Sequence, residues 1–386
     1  MRILIIHNFY QHAGGEDSVV KMEITELRKN HDVKLLTIQN KKGLKGLIQF
    51  SLYAINWSYA KRVVKTAKAF KADIVHIHNL HYASGPWLIR ALRKHGFQVV
   101  MTLHNFRLIC PSATLFYGDR LFLDSLKQDF PWSAVKNKVL DGSTLKTFVT
   151  AFTYWWHRKI GTWQQVNQYL LLSDFARQLF LKSPLGLAAE KYSIKPNFLP
   201  PVTVGEKTFG DYFVYIGRLS AEKGIIPLLQ AICHSPHRIK VFGTGPQQTA
   251  VEALAAQFPN IEYMGFQQQD VLREELRTCS ALVVPSVCYE GMPMTIIEAF
   301  AIGTPVLCSA LGILQQMVIP LYSGMHFDPY REESIQNTLD SWVQVDNTTK
   351  YRISQNCKEV YTCNYTAEEN IKSLEKLYLS AIHNHK

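Results

Sequence analysis

Three short motifs are missing from this 386-residue sequence: Asp-x-Asp, His-Glu-x-x-His and Gly-x-x-x-x-Gly-Lys-Ser/Thr. Without the first two there is no ready-made clamp for a divalent metal, and without the third the commonest phosphate-cradling loop is gone. No apolar run approaches the roughly 18 residues that a spanning helix needs. The N-terminal run Met1–Ile6 turns polar at His7-Asn8, too soon for the core of a signal peptide. The seven cysteines (110, 233, 279, 288, 308, 357 and 363) are odd in number, have no Cys-x-x-Cys spacing and sit mostly in apolar segments. They read as reduced core residues of a cytosolic protein, soluble or peripheral on the inner face of a membrane. Charged residues are scarce at 19% beside 47% hydrophobic ones, which is globular composition. Acids are scarcer still, 31 against 42 Lys and Arg, so the formal charge is +11. That excess points to phosphate-bearing ligands, nucleic acid or an anionic membrane surface.

What the chain does contain is alternation. Short runs rich in β-branched residues (Ile3–Ile6, Val33–Ile38, Ile74–Ile77, Val99–Leu103, Tyr169–Leu172) alternate with helical stretches. A second series follows: Phe213–Ile216, Ile239–Phe242, Ile261–Tyr263, Ala281–Val284 and Val306–Leu307. Runs apolar throughout suit parallel strands buried on both faces, so two doubly wound α/β sheets are expected. Lys195-Pro196-Asn197-Phe198-Leu199-Pro200-Pro201 interrupts the alternation, because closely spaced prolines stop regular structure. The expected division is 1–195 for a first domain, 196–210 for a linker and 211–365 for a second, with a closing helix over 366–386 that returns to the first domain.

One stretch breaks the mixture of charges. Residues 41–71 carry Lys41, Lys42, Lys45, Lys61, Arg62, Lys65, Lys68 and Lys71 and no acid. Ile48, Leu52, Ile55, Tyr59 and Val63 fall on one helical stripe with Trp57 beside it, as an interfacial amphipathic helix requires. A core-packing helix with a solvated basic face explains the same pattern. A second aromatic stretch, Phe148–Trp163 with Tyr154-Trp155-Trp156, reads first as core, and an exposed apolar binding surface is the alternative.

Chemistry-bearing residues gather at strand ends. Tyr289-Glu290-Gly291-Met292-Pro293-Met294-Thr295-Ile296-Ile297-Glu298 follows the buried run Leu282–Val284 and Pro285-Ser286. A helix starting at Pro293 puts Glu290 in the preceding loop, at the sheet edge where ligands bind, and Glu298 within two turns. Free N–H groups of Gly291, Met292 and Met294, beside Pro293 in the same stretch, suit a sugar hydroxyl or a phosphate oxygen. Gly217-Arg218-Leu219-Ser220-Ala221-Glu222-Lys223-Gly224 places two cations after another strand, Arg as a planar fork and Lys as a mobile point charge. Gly243-Thr244-Gly245-Pro246 is a third strand-then-turn. The full Gly-x-Gly-x-x-Gly fails there at Gln248, which lowers a nicotinamide reading. Gly14, Gly15 and Glu16 follow the first strand, and His104 ends the buried run Val99–Leu103. His76, His78 and His81 show no recurring carboxylate beside them in sequence, so they read as wall or packing residues.

Taken together, in this order, these segments resemble the retaining glycosyltransferase family 4 of the GT-B fold, whose signature is the E-x7-E pair seen at Glu290 and Glu298. The resemblance spans essentially the whole chain. It implies two Rossmann-like domains facing each other across a cleft, with a nucleotide-diphosphate sugar as donor and no metal or other cofactor. It implies that Arg218 and Lys223 clamp the diphosphate, that Glu290 holds the sugar hydroxyls and that Glu298 holds the ribose. His104 faces the sugar near the reacting carbon. Gly14, Gly15 and Glu16 form the family's glycine loop, while Gly217, Gly243 and Gly245 line the nucleotide side. The acceptor expected is a saccharide or lipid-linked glycan, with an anionic membrane as partner through residues 41–71 and no nucleic acid. A nucleotide-sugar epimerase or hydrolase of the same fold is the nearest rival. A non-catalytic nucleotide-sugar-binding module is another, against which the full set of Arg218, Lys223, Glu290 and Glu298 argues.

Overall fold

The computed structural model of the chain describes residues 1–9, 14–40 and 43–383. They pack as two compact units. One holds Met1–Leu115, Phe122–Asn197 and the closing helix Ala367–His383; the other holds Phe116–Leu121 and Phe198–Thr366.

The first unit is built on β1 (Arg2–Phe9), β2 (Asp32–Gln39), β3 (Ile74–Ile77) and β4 (Val99–Leu103). After a short antiparallel hairpin, β5 (Phe116–Tyr117) and β6 (Arg120–Leu121), come β7 (Gln168–Leu171) and β8 (Tyr192–Ile194). The six long-range strands are all parallel, in the order β2-β1-β3-β4-β7-β8. Ile3–Ile6, Ile74, Val75, Ile77, Val99 and Val100 are fully buried, as apolar runs covered by helices on both faces must be. The chain leaves β1 for β2 on one side and then crosses to β3 on the other, so a crevice opens at the carboxyl ends of β1 and β3.

The second unit repeats the plan with β9 (Tyr212–Ile216), β10 (Arg238–Phe242), β11 (Ile261–Gly265), β12 (Ala281–Val284), β13 (Val306–Ser309) and β14 (Gly324–Phe327). Its parallel order β11-β10-β9-β12-β13-β14 reverses between β9 and β12. Strands β8 and β14 were not expected from the sequence. Tyr-Ser-Ile and Gly-Met-His-Phe are too short and too poor in β-branched residues to stand out, and neighbours in the sheet recruit them. All seven cysteines are free, and five are buried.

Two expectations need correction. The basic segment is not one helix: Gly43–Ser51 is followed by a 3-10 turn at Tyr53–Ile55, and a new helix, Trp57–Phe70, starts at an Asn56 cap that accepts from Tyr59 N. The break splits the stripe. Tyr59 (5% exposed) and Val63 turn into the core, while Ile48, Leu52, Ile55 and Trp57 (65%) face solvent. Lys41 and Lys42 lie outside the described residues. The Phe148–Trp163 stretch splits too. Tyr154 and Trp163 are core, but Phe148 and Phe152 are exposed and form a run of neighbouring rings with Phe130, Trp132 and Trp155.

Among the described residues, no helix is long and apolar enough to cross a membrane.

Candidate functional site

In the second unit the loops after β9, β10 and β12 mesh backbone to backbone. Gly217 N donates to Phe242 O (3.1 Å), Leu219 N to Thr244 O (3.0 Å), Gln247 N to Leu219 O (2.9 Å) and Val287 N to Glu222 O (3.0 Å). Such approach demands glycine. At Gly243 φ is +133°, and a Cβ would lie 1.9 Å from Gly217 O. At Gly224 φ is +67°, and a Cβ would lie 2.0 Å from Pro285 O. The glycines read from the sequence as ligand contacts thus have a structural duty of their own: they let three loops share one sheet edge.

That edge is the switch point between β9 and β12. Lys223, in the 3-10 turn Ala221–Lys223, reaches Glu290 with Nζ 2.7 Å from Oε1 and 2.9 Å from Oε2. Ser286 Oγ donates to Glu290 Oε1 at 2.5 Å. The Lys223 side chain keeps 30% of its surface in solvent and that of Glu290 11%, so the pair is recessed but reachable. Burial alone would lower the Lys223 pKa; the facing Glu290 carboxylate outweighs it, and the ammonium is held above its ordinary value. Arg218 is exposed beside the pair and makes no ion pair among the described residues. Pro293 is the cap and not the first residue of the helix Met294–Ile302, so Glu298 lies in its second turn, at the fifth position. Its carboxyl meets Gln269 and the charge of Arg273, not Lys223, and burial raises its pKa. Gly291, Met292 and Met294 lead into the open helix start; Met292 is buried. Chemically the edge offers two cations and helix N–H groups to an anion, and a carboxylate pre-aligned by Lys223 and Ser286 to hydroxyls.

In the first unit Gly14 caps the helix Gly15–Leu27, with Gly14 and Gly15 exposed and Glu16 Oε1 3.9 Å from His7 Nδ1. The expected Gln11-His12-Ala13 part of that loop lies outside the described residues. His7 Nε2 donates to Asp17 Oδ1 at 2.7 Å. His104 stands at the end of β4, with Nε2 3.0 Å from His78 Nδ1.

His76 and His78 are not bare wall residues, as the sequence had suggested. Glu23, from the helix Gly15–Leu27, brings Oε1 to 3.3 Å from His76 Nδ1 and 3.1 Å from His78 Nε2, and Oε2 accepts from Lys195 Nζ at 2.8 Å. Sequence proximity could not find this carboxylate, because it lies more than fifty residues away. His81 meets the Tyr53 hydroxyl at 3.0 Å and serves packing. The role of Ser286 was also missed, although it stands only four residues before Glu290.

Residues 204–360 match the family model described as glycosyl transferases group 1. An uncharacterized glycosyltransferase of Methanocaldococcus jannaschii is 26% identical over 166 residues, 41% of this chain and 42% of that one. The lipopolysaccharide 1,2-N-acetylglucosaminetransferase of Salmonella typhimurium is 25% identical over 211 residues, 50% of this chain and 54% of that one. The chain thus spans about half the length of the curated relatives it matches. Among solved structures, sucrose-phosphate synthase from Thermosynechococcus elongatus aligns with a TM-score of 0.72 at 18% identity, covering 98% of each chain. Anabaena HepE in complex with UDP aligns with a TM-score of 0.69 at 14% identity, covering 98% of this chain and all of that one. The fold is GT-B, with a Rossmann-like sheet in each unit.

Proposed function

We propose that the chain is a glycosyltransferase that moves a hexosyl-type sugar from a nucleotide diphosphate to an acceptor hydroxyl, with retention at the anomeric carbon and without a metal. The Lys223–Glu290 ion pair at the switch point, with Arg218 exposed five residues earlier and in no ion pair among the described residues, is the observation that carries this reading. Arg218 and Lys223 stabilise charge as the bond from the anomeric carbon to the diphosphate oxygen breaks. The acceptor oxygen bonds to that carbon on the same face, and its proton passes to the departing phosphate, so no protein nucleophile is needed. Glu290 holds sugar hydroxyls, Glu298 the ribose, and His104 a group on the sugar. The group 1 match over 204–360 and the UDP complex of a structural neighbour support a nucleotide-diphosphate donor.

The division of labour between the two glutamates is open to test. Glu290→Gln weakens a contact next to the carbon where charge develops, so kcat should fall by about tenfold to a hundredfold. Glu298→Gln removes a contact made equally in ground and transition states and should raise KM for the donor at near-normal kcat. Equal losses of kcat in the two variants would overturn the assignment.

The acceptor is a saccharide or lipid-linked glycan, reached at an anionic membrane. Exposed Ile48, Leu52, Ile55 and Trp57 adjoin exposed Lys61, Arg62, Lys65 and Lys68, which combines apolar insertion with charge at about 1 kcal/mol per cation. Cosedimentation with phosphatidylserine vesicles is expected to weaken as salt rises and to vanish when those four cations become Glu, while donor hydrolysis persists. Unchanged cosedimentation would leave the helix Trp57–Phe70 as a plain basic surface.

A further inference from the structure

Behind His104 lies a chain of buried polar groups that ends on a charge. The His104 and His78 rings stack with centroids 5.3 Å apart, and one proton must lie in the 3.0 Å gap between His104 Nε2 and His78 Nδ1. The other nitrogen of His78 faces Glu23, whose side chain is 1% exposed. Glu23 also faces His76 and accepts from Lys195; His76 in turn meets the Tyr378 hydroxyl at 2.6 Å and the Thr102 hydroxyl at 2.7 Å. Ligand atoms of Glu23, His76 and His78 lie within 4.8 Å of one another, a spacing that would suit a metal. The Lys195 ammonium, 2.8 Å from the carboxylate, already supplies the cation.

The protons along this chain can be placed. Burial favours the neutral form of Glu23, but Lys195, then His78 and His76, outweigh it and hold the carboxyl well below the ordinary range. An ionised carboxylate has only lone pairs to offer, so a bare ring nitrogen 3.1 Å away would repel it; the hydrogen belongs on His78 Nε2 by electrostatics, although the two atoms are not aligned as a hydrogen bond. Burial, with His76 adding to it, pushes His78 down to about 3, so its ring is neutral. With Nε2 protonated, Nδ1 is a bare acceptor, and the donor in the gap is His104 Nε2–H. Burial, then His78, holds the His104 pKa well below its ordinary value, so its single proton is the one already placed.

We propose that Glu23 and His78 lock His104 as its Nε2–H tautomer, so that the ring offers a bare Nδ1 as acceptor for a substrate hydroxyl and cannot act as a proton donor there. Nδ1 has no protein partner among the described residues. Glu23 and His78 are then positioning residues: they touch no substrate and act by fixing which edge of His104 accepts. The consequence for turnover rests on the proposed function; the tautomer itself does not.

Long-range proton–nitrogen correlation spectra of the full chain labelled with ¹⁵N-histidine, assigned with His104→Gln and His78→Gln, test the proposal at neutral pH. Both rings of the wild type should show a protonated Nε2 and an unprotonated Nδ1. A wild-type His104 ring protonated at Nδ1, doubly protonated or exchanging between tautomers would overturn it. In Glu23→Gln the amide oxygen should turn to Lys195 and its NH₂ to His78, which inverts both rings to the Nδ1–H form. His104 retaining Nε2–H in a folded Glu23→Gln protein would also overturn it. Turnover with a nucleotide-sugar donor should fall about tenfold on inversion. Inverted rings with unchanged turnover would leave the tautomer standing and remove His104 from the sugar.

Discussion

Lys223→Ala is expected to lower kcat by about two orders of magnitude while the protein stays folded. Lys223 sits in a surface-reaching turn, and its ammonium donates to Glu290 at 2.7 and 2.9 Å. Its side chain is 30% exposed, so truncation empties little of the core. If it neutralises charge growing on a leaving diphosphate, its loss removes an interaction strongest in the transition state, worth about 3 kcal/mol for one such donor. Two features would mark the effect as electrostatic. Arg218→Ala, which breaks no described ion pair, should lose a similar factor. Thermal midpoints of both variants should stay near that of the parent. Near-normal turnover in both would take the two cations out of the chemistry.

Gly243→Val should do the opposite, collapsing the fold while removing no functional group. The φ of +133° disfavours any side chain, and the Gly217 carbonyl 1.9 Å from a would-be Cβ cannot withdraw without breaking the loop hydrogen bonds around it. Backbone strain costs about 1–3 kcal/mol and overpacking a similar amount, so the sum approaches the whole stability of a marginal domain. Gly265→Ala is the control. Its φ is also positive, at +68°, but nothing lies within 4 Å of its would-be Cβ, so only the strain term remains. Denaturant unfolding should place Gly265→Ala close to wild type and Gly243→Val unfolded or barely folded. Comparable small losses in both would mean that the loops are not tightly meshed.

The contrast between these positions shows where sequence stops being sufficient. The strands of both sheets were legible because parallel strands buried on two faces leave unbroken apolar runs, as at Ile3–Ile6 and Ala281–Val284. Lys223 and Glu290 were legible because each follows such a run within a few residues, and the order of strands brings those two runs side by side. Glu23 was not legible. It sits mid-helix between Met22 and Ile24, where sequence spacing gives no hint of a partner, and only the tertiary fold sets it against His76 and His78. The split of the 41–71 stripe was hidden for a related reason. Helical periodicity continues through Ser51–Asn56, and the Asn56 cap that restarts the helix out of phase depends on a local hydrogen bond that periodicity does not register.

The central claim, a nucleotide-diphosphate sugar split at the Lys223–Glu290 edge, is tested most directly by nucleoside diphosphate release. Wild-type protein and Lys223→Ala would be incubated with a panel of nucleotide-sugars in excess EDTA. At least one donor should release its nucleoside diphosphate with wild-type protein, undiminished by the chelator, and about a hundredfold more slowly with Lys223→Ala. Release that stops on chelation and returns with Mg²⁺ or Mn²⁺, or a rate that ignores the loss of Lys223, would contradict the account.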